Sequence, residues 1–192
     1  MEQPTPEQVR QQCIFCQIAD GKVAAKKIYE DDKVLAVLDI NPANPGHILL
    51  LPKKHIAIMP QMGDELIGYM GVIAKQLSQA LLRALQAQGT TIFIANGSAA
   101  GQRAPHFMIH IIPRMEDDKI GLIPKLKKQD EEAILQVHQA LYEAIKKVLG
   151  KAIAPGKEPE KKLEVKKQQI SPEQATNPEL DAVTDLLAKG EK

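Results

Sequence analysis

Between Gly101 and Arg114 the chain reads Gly-Gln-Arg-Ala-Pro-His-Phe-Met-Ile-His-Ile-Ile-Pro-Arg, its densest run of side chains able to do chemistry. Residues 107–112 are apolar and rich in β-branched types, with Pro105 and Pro113 on either side, which predicts a short buried strand. Strand side chains alternate between faces, so His106, Met108 and His110 share one face and Phe107, Ile109 and Ile111 the other. Imidazoles on a mostly buried face are costly unless something pairs or uses them. A hydrogen-bonded pair of core histidines is the plain reading. The Gly-Gln turn before the strand and Arg114 after it favour a functional site.

A second candidate is Cys13-Ile-Phe-Cys16, which holds the only two cysteines of the chain. The pair is not a disulfide framework. A redox role requires the motif at the start of a helix that follows a strand, and no strand is predicted before Cys13. A metal role requires two more ligands, since structural zinc is four-coordinate and often takes two thiolates and two imidazoles. His47, His55, His106, His110 and His138 are the histidines available. A third candidate is Asn96-Gly-Ser-Ala-Ala-Gly-Gln102-Arg103, whose small residues let backbone amides approach an anion, with Gln102 and Arg103 adding donors. It fits no phosphate-loop template, so an ordinary loop between strands stands beside that reading.

The elements that must position these residues follow from periodicity. Strands are predicted over 27–30, 33–39, 47–51 and 91–95, the first two joined as a hairpin at Asp31-Asp32. Residues 64–86 form the strongest helix, with Ile67, Met70, Ala74, Leu77, Leu81 and Leu85 in one stripe, Asp64 as N-cap and Gly89 as stop. A second helix spans 131–149, with Ile134, Val137, Leu141, Ile145 and Val148 on one side and His138 beside them as a packed or edge residue. The order predicts an α+β fold: a mainly antiparallel sheet with a long covering helix and a C-terminal helix. Residues 1–12 read as a flexible arm or one helical turn, 13–150 as the folded domain, and 151–192 as a linker and largely disordered tail with a short helix near 178–188.

Composition narrows the classes. The chain has 192 residues, a formal net charge of +1 and 3% aromatic residues, so an aliphatic core is expected and no general attraction to nucleic acid or anionic membrane. No apolar run reaches membrane-spanning length, and the polar N-terminus lacks a signal core, so a cytoplasmic protein is expected.

Taken together, these residues resemble the histidine triad (HIT) family of nucleotide-phosphate hydrolases and transferases. The resemblance runs from Cys13 to Arg114 and includes Cys-Ile-Phe-Cys, Tyr29-Glu-Asp31, Leu38-Asp-Ile40, Pro45-Gly-His47, Pro52-Lys-Lys-His55 and the Gly-Gln to Ile-Ile-Pro-Arg signature. It implies a homodimer and a nucleoside monophosphate site, with ribose near Asp39 and phosphate near Gln102, Arg103 and His110. It also implies a structural zinc held by Cys13, Cys16, His55 and His106. The signature's middle histidine, which attacks phosphorus in the family, falls on Met108, and a thioether is no useful phosphoryl nucleophile. Arg103 stands where Ser or Thr is frequent, and Ala95 where an amide is frequent.

Three readings follow. The first is a nucleotide-phosphate-binding protein without the covalent step. The second is a hydrolase using His110 as general acid or base, supported by His47. The third is a zinc-stabilised interaction protein.

Overall fold

The computed structural model describes residues 5–121, 128–151 and 154. The chain divides into two units, Met1–Pro124 and Lys125–Lys192. The helix expected near 178–188, and nearly all of the linker and tail, lie outside the described residues. Among the described residues no helix is long and apolar enough to cross a membrane.

The first unit is built on strands β1 (Lys27–Glu30), β2 (Val34–Leu38), β3 (Ile48–Pro52), β4 (Gly89–Phe93) and β5 (Ile109–Arg114), in the order β1-β2-β3-β5-β4 with every neighbour antiparallel. The α+β architecture expected from the sequence is the one observed. Asp31 closes the β1–β2 hairpin by accepting from the amides of Lys33 and Val34, both at 2.7 Å. The chain leaves β3 through helix α3 (Asp64–Ala84), returns as outer strand β4, and then inserts β5 between β4 and β3. The residues after Ser98 are thereby carried to the middle of the sheet.

Both sheet faces are covered, which is why β2 (Val-Leu-Ala-Val-Leu) and β3 (Ile-Leu-Leu-Leu-Pro) are almost uninterrupted apolar runs. On one face Val34, Ala36, Ile48, Leu50, Ile109 and Ile111 pack with Met70, Ile73, Ala74 and Leu81 of α3. On the other, Leu35, Val37, Leu49 and Leu51 meet Phe15 and Ile18 of helix α2 (Ile14–Ala19), together with Met108. A fully buried leucine such as Leu50 contributes about 1.5–3 kcal/mol. The N-terminal polar span includes helix α1 (Pro6–Gln12), whose Thr5–Gln8 capping box satisfies amides at its start.

Several boundaries differ from expectation for local reasons. α3 is capped by Gly63, with Asp64 already helical, and it ends when Gln86 takes a φ of 52°. Gly89 is therefore free to open β4 opposite Arg114. The signature strand begins at Ile109 and not Phe107, because the Phe107 amide donates to Ile56 O (2.6 Å) outside the β5 ladder. It also runs through Pro113. That residue's backbone faces Asn44, whose Nδ2 donates to Pro113 O at 3.0 Å, so the missing N–H is not on the side paired with β4.

The second unit contains helix α4 (Glu131–Leu149), with the bounds expected. Asp130 caps it by accepting from the Ala133 amide (2.7 Å), and Gly150 ends it at a φ of +73°. Ile134, Val137, Leu141, Ile145 and Val148 are exposed along it.

Candidate functional site

Cys13 caps α2 and Cys16 lies in its first turn, and both thiols are free and buried. His55 follows β3, and His106 precedes β5 on the central face. The four donor atoms of Cys13, Cys16, His55 and His106 lie within 4.8 Å of one another. Cys16 Sγ is 3.2 Å from His55 Nδ1 and 3.6 Å from His106 Nδ1, and Cys13 Sγ is 3.4 Å from His106 Nδ1. Tetrahedral bonds of about 2.0–2.3 Å place neighbouring donors roughly 3.3–3.8 Å apart, so these residues fit one four-coordinate metal ion.

The surroundings prepare them for it. His106 Nε2 is 3.0 Å from Pro52 O, and a carbonyl only accepts. Nε2 therefore carries the proton and Nδ1 presents its lone pair to the thiols. Burial pushes the Cys16 thiol up to about 12, with Cys13 adding to the effect, and burial pushes His106 down to about 4. Burial therefore favours a neutral Cys16 thiol beside neutral His55 and His106 imidazoles, and a cation supplies what a thiolate needs. Arg10 braces the site from outside, ion-paired to Asp20 and donating to Lys53 O (3.2 Å).

Past His106 the same face opens into a cleft of about 550 Å³ lined by Asp39, His47, Phe93, Arg103, Met108 and His110, among others. His47 is buried after a turn that requires glycine at Gly46, where φ is +92° and an added Cβ would lie 2.4 Å from Leu85 Cδ1. His47 Nε2 lies 3.0 Å from His110 Nδ1. Its Nδ1 lies between an acceptor, Asp39 Oδ2 at 3.4 Å, and a donor, the Ala43 amide at 3.3 Å. A proton directed at Asp39 makes His47 Nε2 an acceptor from His110 and leaves a lone pair on His110 Nε2. The Ala43 contact favours the reverse pattern, with the proton on His110 Nε2. The relay therefore delivers either base or acid character at one atom. Among the described residues no buried side-chain nitrogen or oxygen lacks a partner, so His110 Nε2, for which none of them serves as one, is open to the cleft.

The ring of Phe93 stacks on His110 at 4.4 Å and 5°, as their pairing across β4 and β5 dictates. Burial, with the neighbouring His47, pushes His110 down to about 4. The unfolded chain binds this proton near its ordinary pKa of about 6.5, so the unfolded state holds more protons between those values. Stability is accordingly lost as pH falls from about 6.5 toward 4. Between pH 7.5 and 5 we expect the His110→Gln variant to lose about 3 °C less in melting temperature than the parent. Parallel curves would refute that role for His110.

The residues singled out in the sequence thus sort into two groups. Cys13, Cys16, His55 and His106 come together as the cluster, and Asp39, Gln102, Arg103, Met108 and His110 line the cleft. His138 lies on α4, in the second unit. Gln102 is also a brace: its amide hydrogens go to Ala57 O (2.7 Å) and Ala104 O (2.9 Å), and its oxygen accepts from the Gly97 amide (2.7 Å). Sequence reasoning missed Phe93 and the Ala43 amide. Phe93 could have been found from a strand register, whereas Ala43 carries no signal in its residue type.

The HIT domain family model matches residues 20–117. The chain belongs to the HIT family. An uncharacterized HIT-like protein of Methanocaldococcus jannaschii is 41% identical over 126 residues, which cover 65% of this chain and 96% of that protein. A zinc-bound histidine triad family protein from Mycobacterium smegmatis superposes with a TM-score of 0.57 at 31% identity, over 68% of this chain and 99% of that one. A histidine triad nucleotide-binding protein from Candida albicans gives a TM-score of 0.64 at 27% identity, over 71% and 99%. The family match spans all five strands together with His55, His106 and His110, and it begins after Cys13 and Cys16.

Proposed function

We propose that this HIT protein binds a nucleoside monophosphate-type ligand in the cleft and does not perform the family's covalent histidine step. The observation that carries this reading is Met108. It lines the cleft between His106, whose Nδ1 is turned to the metal cluster, and His110, which is hydrogen-bonded to His47. Of the three alternating positions, the middle one offers a sulfur with neither charge nor transferable proton. Asp39 is placed to receive ribose hydroxyls. Arg103 and His110 face the phosphate. The protein acts as a cytoplasmic homodimer.

The cluster holds zinc in this reading, consistent with the two-cysteine, two-histidine donor set and with the zinc-bound relative. Cys13, Cys16, His55 and His106 would be its ligands. Bound zinc would supply thiolate charge neutralisation and a cross-link between α2, the end of β3 and the start of β5.

The hydrogen-bonded Asp39–His47–His110 chain favours a second reading, in which turnover survives without a covalent intermediate. His110 Nε2 would take a proton from water as its oxygen bonds to phosphorus. The bond to the leaving group would break with its electron pair, and the same nitrogen would return the proton to that group.

Purified protein assayed against adenosine phosphoramidates, adenylated amines and dinucleoside polyphosphates separates the readings. The expected result is no turnover, with a nucleoside monophosphate at about 100 times its Kd raising the melting temperature by roughly 10 °C. Turnover that His110→Ala abolishes would establish the second reading and overturn the first. Neither turnover nor thermal shift would leave an interaction protein.

A further inference from the structure

Arg103 stands alone in the cleft. Among the described residues it is the one Lys or Arg lining it, and no hydrogen bond or ion pair joins its guanidinium to another described residue. Part of the loop before it is committed to itself. The Ala100 and Gln102 amides donate to Gly97 O, both at 3.1 Å, and the Gly101 amide to Ser98 O at 2.9 Å. The Gly97 amide and both amide hydrogens of Gln102 are also used within the protein. The other walls include the Met108 thioether, Ala95, Phe93 and Ile112, with the neutral Asn41 and one carboxylate, Asp39. Burial holds His110 and His47 toward their neutral forms.

We propose that Arg103 makes this cleft selective for nucleosides carrying a monoanionic oxyacid group over those carrying a dianionic phosphate. The inference rests on the nucleotide-binding reading and specifies the charge of its ligand. One guanidinium presents a planar fork that matches one pair of oxyanion oxygens, and with it one negative charge. Attraction to that single cation rises in proportion to ligand charge. The cost of leaving water rises with its square, to about four times as much for a dianion as for a monoanion of equal size. The engaged Gly97, Ala100, Gly101 and Gln102 amides and the Met108 thioether offer nothing to offset the difference, and Asp39 adds to it. A phosphodiester, phosphoramidate or sulfate ester of a nucleoside meets the condition, and a free 5′-monophosphate at neutral pH does not.

The test is calorimetric titration of the full-length protein at pH 8 with three probes for each base: the nucleoside, its 5′-monophosphate and the methyl ester of that monophosphate. The methyl ester is expected to bind at least threefold more tightly than the monophosphate and about tenfold more tightly than the nucleoside. Arg103→Gln is expected to bring the ester down to the nucleoside's affinity and leave the nucleoside unchanged, with Arg103→Lys in between. A monophosphate that binds more tightly than its methyl ester overturns the charge selection and leaves nucleotide binding intact. An ester advantage that survives Arg103→Gln overturns the assignment to Arg103. If no probe of any base binds, both this inference and the nucleotide-binding reading fail together.

Discussion

Replacing Cys16 by serine is expected to lower the melting temperature by about 15 °C and to take zinc content close to zero per chain. The side chain is fully buried and its sulfur reaches both His55 and His106, so it joins the two halves of the donor set. Serine keeps the shape but is a poor zinc ligand. Structural zinc in comparable donor sets contributes about 10–16 kcal/mol of apparent binding energy, which is folding energy where the empty site is unformed. Losing one ligand forfeits a part of this, on the order of 4 kcal/mol, and about 4 °C per kcal/mol gives the expected shift. A chelator should lower the parent's melting temperature by a similar amount and leave the variant unmoved. Parent protein isolated without zinc, melting where Cys16→Ser melts, would show that the cluster is held by packing alone.

Phe107→Ala is expected to cost about 3–5 kcal/mol in urea denaturation and to reduce metal occupancy as well. Phe107 is 1% exposed and fills the α3 side of the sheet, against the core formed by residues such as Leu50 and Met70. Its amide hydrogen bond to Ile56 O draws residues 55–56 against 106–107, so one packed ring and one backbone hydrogen bond set the spacing of His55 and His106. Met108→Leu, one residue away on the opposite face, is the matched control. It conserves volume beside the half-covered cleft and should cost less than about 1.5 kcal/mol with metal content unchanged. If Phe107→Ala lost stability but kept full metal occupancy, the coupling between core and cluster would be disproved.

Much of this architecture could be read from residue order. Alternation placed His106, Met108 and His110 together, and the structure packs Phe107, Ile109 and Ile111 into the other face. Asp31-Asp32 marked the hairpin because turn chemistry is local to a few residues, and the apolar stripe marked 131–149 as the helix that the structure caps with Asp130 and Gly150. Boundaries moved where distant partners competed: Ile56 takes the Phe107 amide from the strand ladder, and Asn44 makes Pro113 acceptable within it.

The sequence by itself determined which chemistry is available: two thiols spaced to share one ion, two imidazoles on one strand face, a thioether between them and a lone arginine beside them. Spacing left all five histidines as possible ligands, and only family resemblance chose among them. The tertiary structure decided how they are used. Inserting β5 beside β3 brings His110 within 3.0 Å of His47, 63 residues away, and bringing His106 to α2 closes the cluster across some 90 residues. It also decided that Gln102 and the Gly97, Ala100 and Gly101 amides are already engaged, while Arg103 lines the cleft. Such outcomes depend on strand order and on competition for each donor, which local residue patterns do not encode.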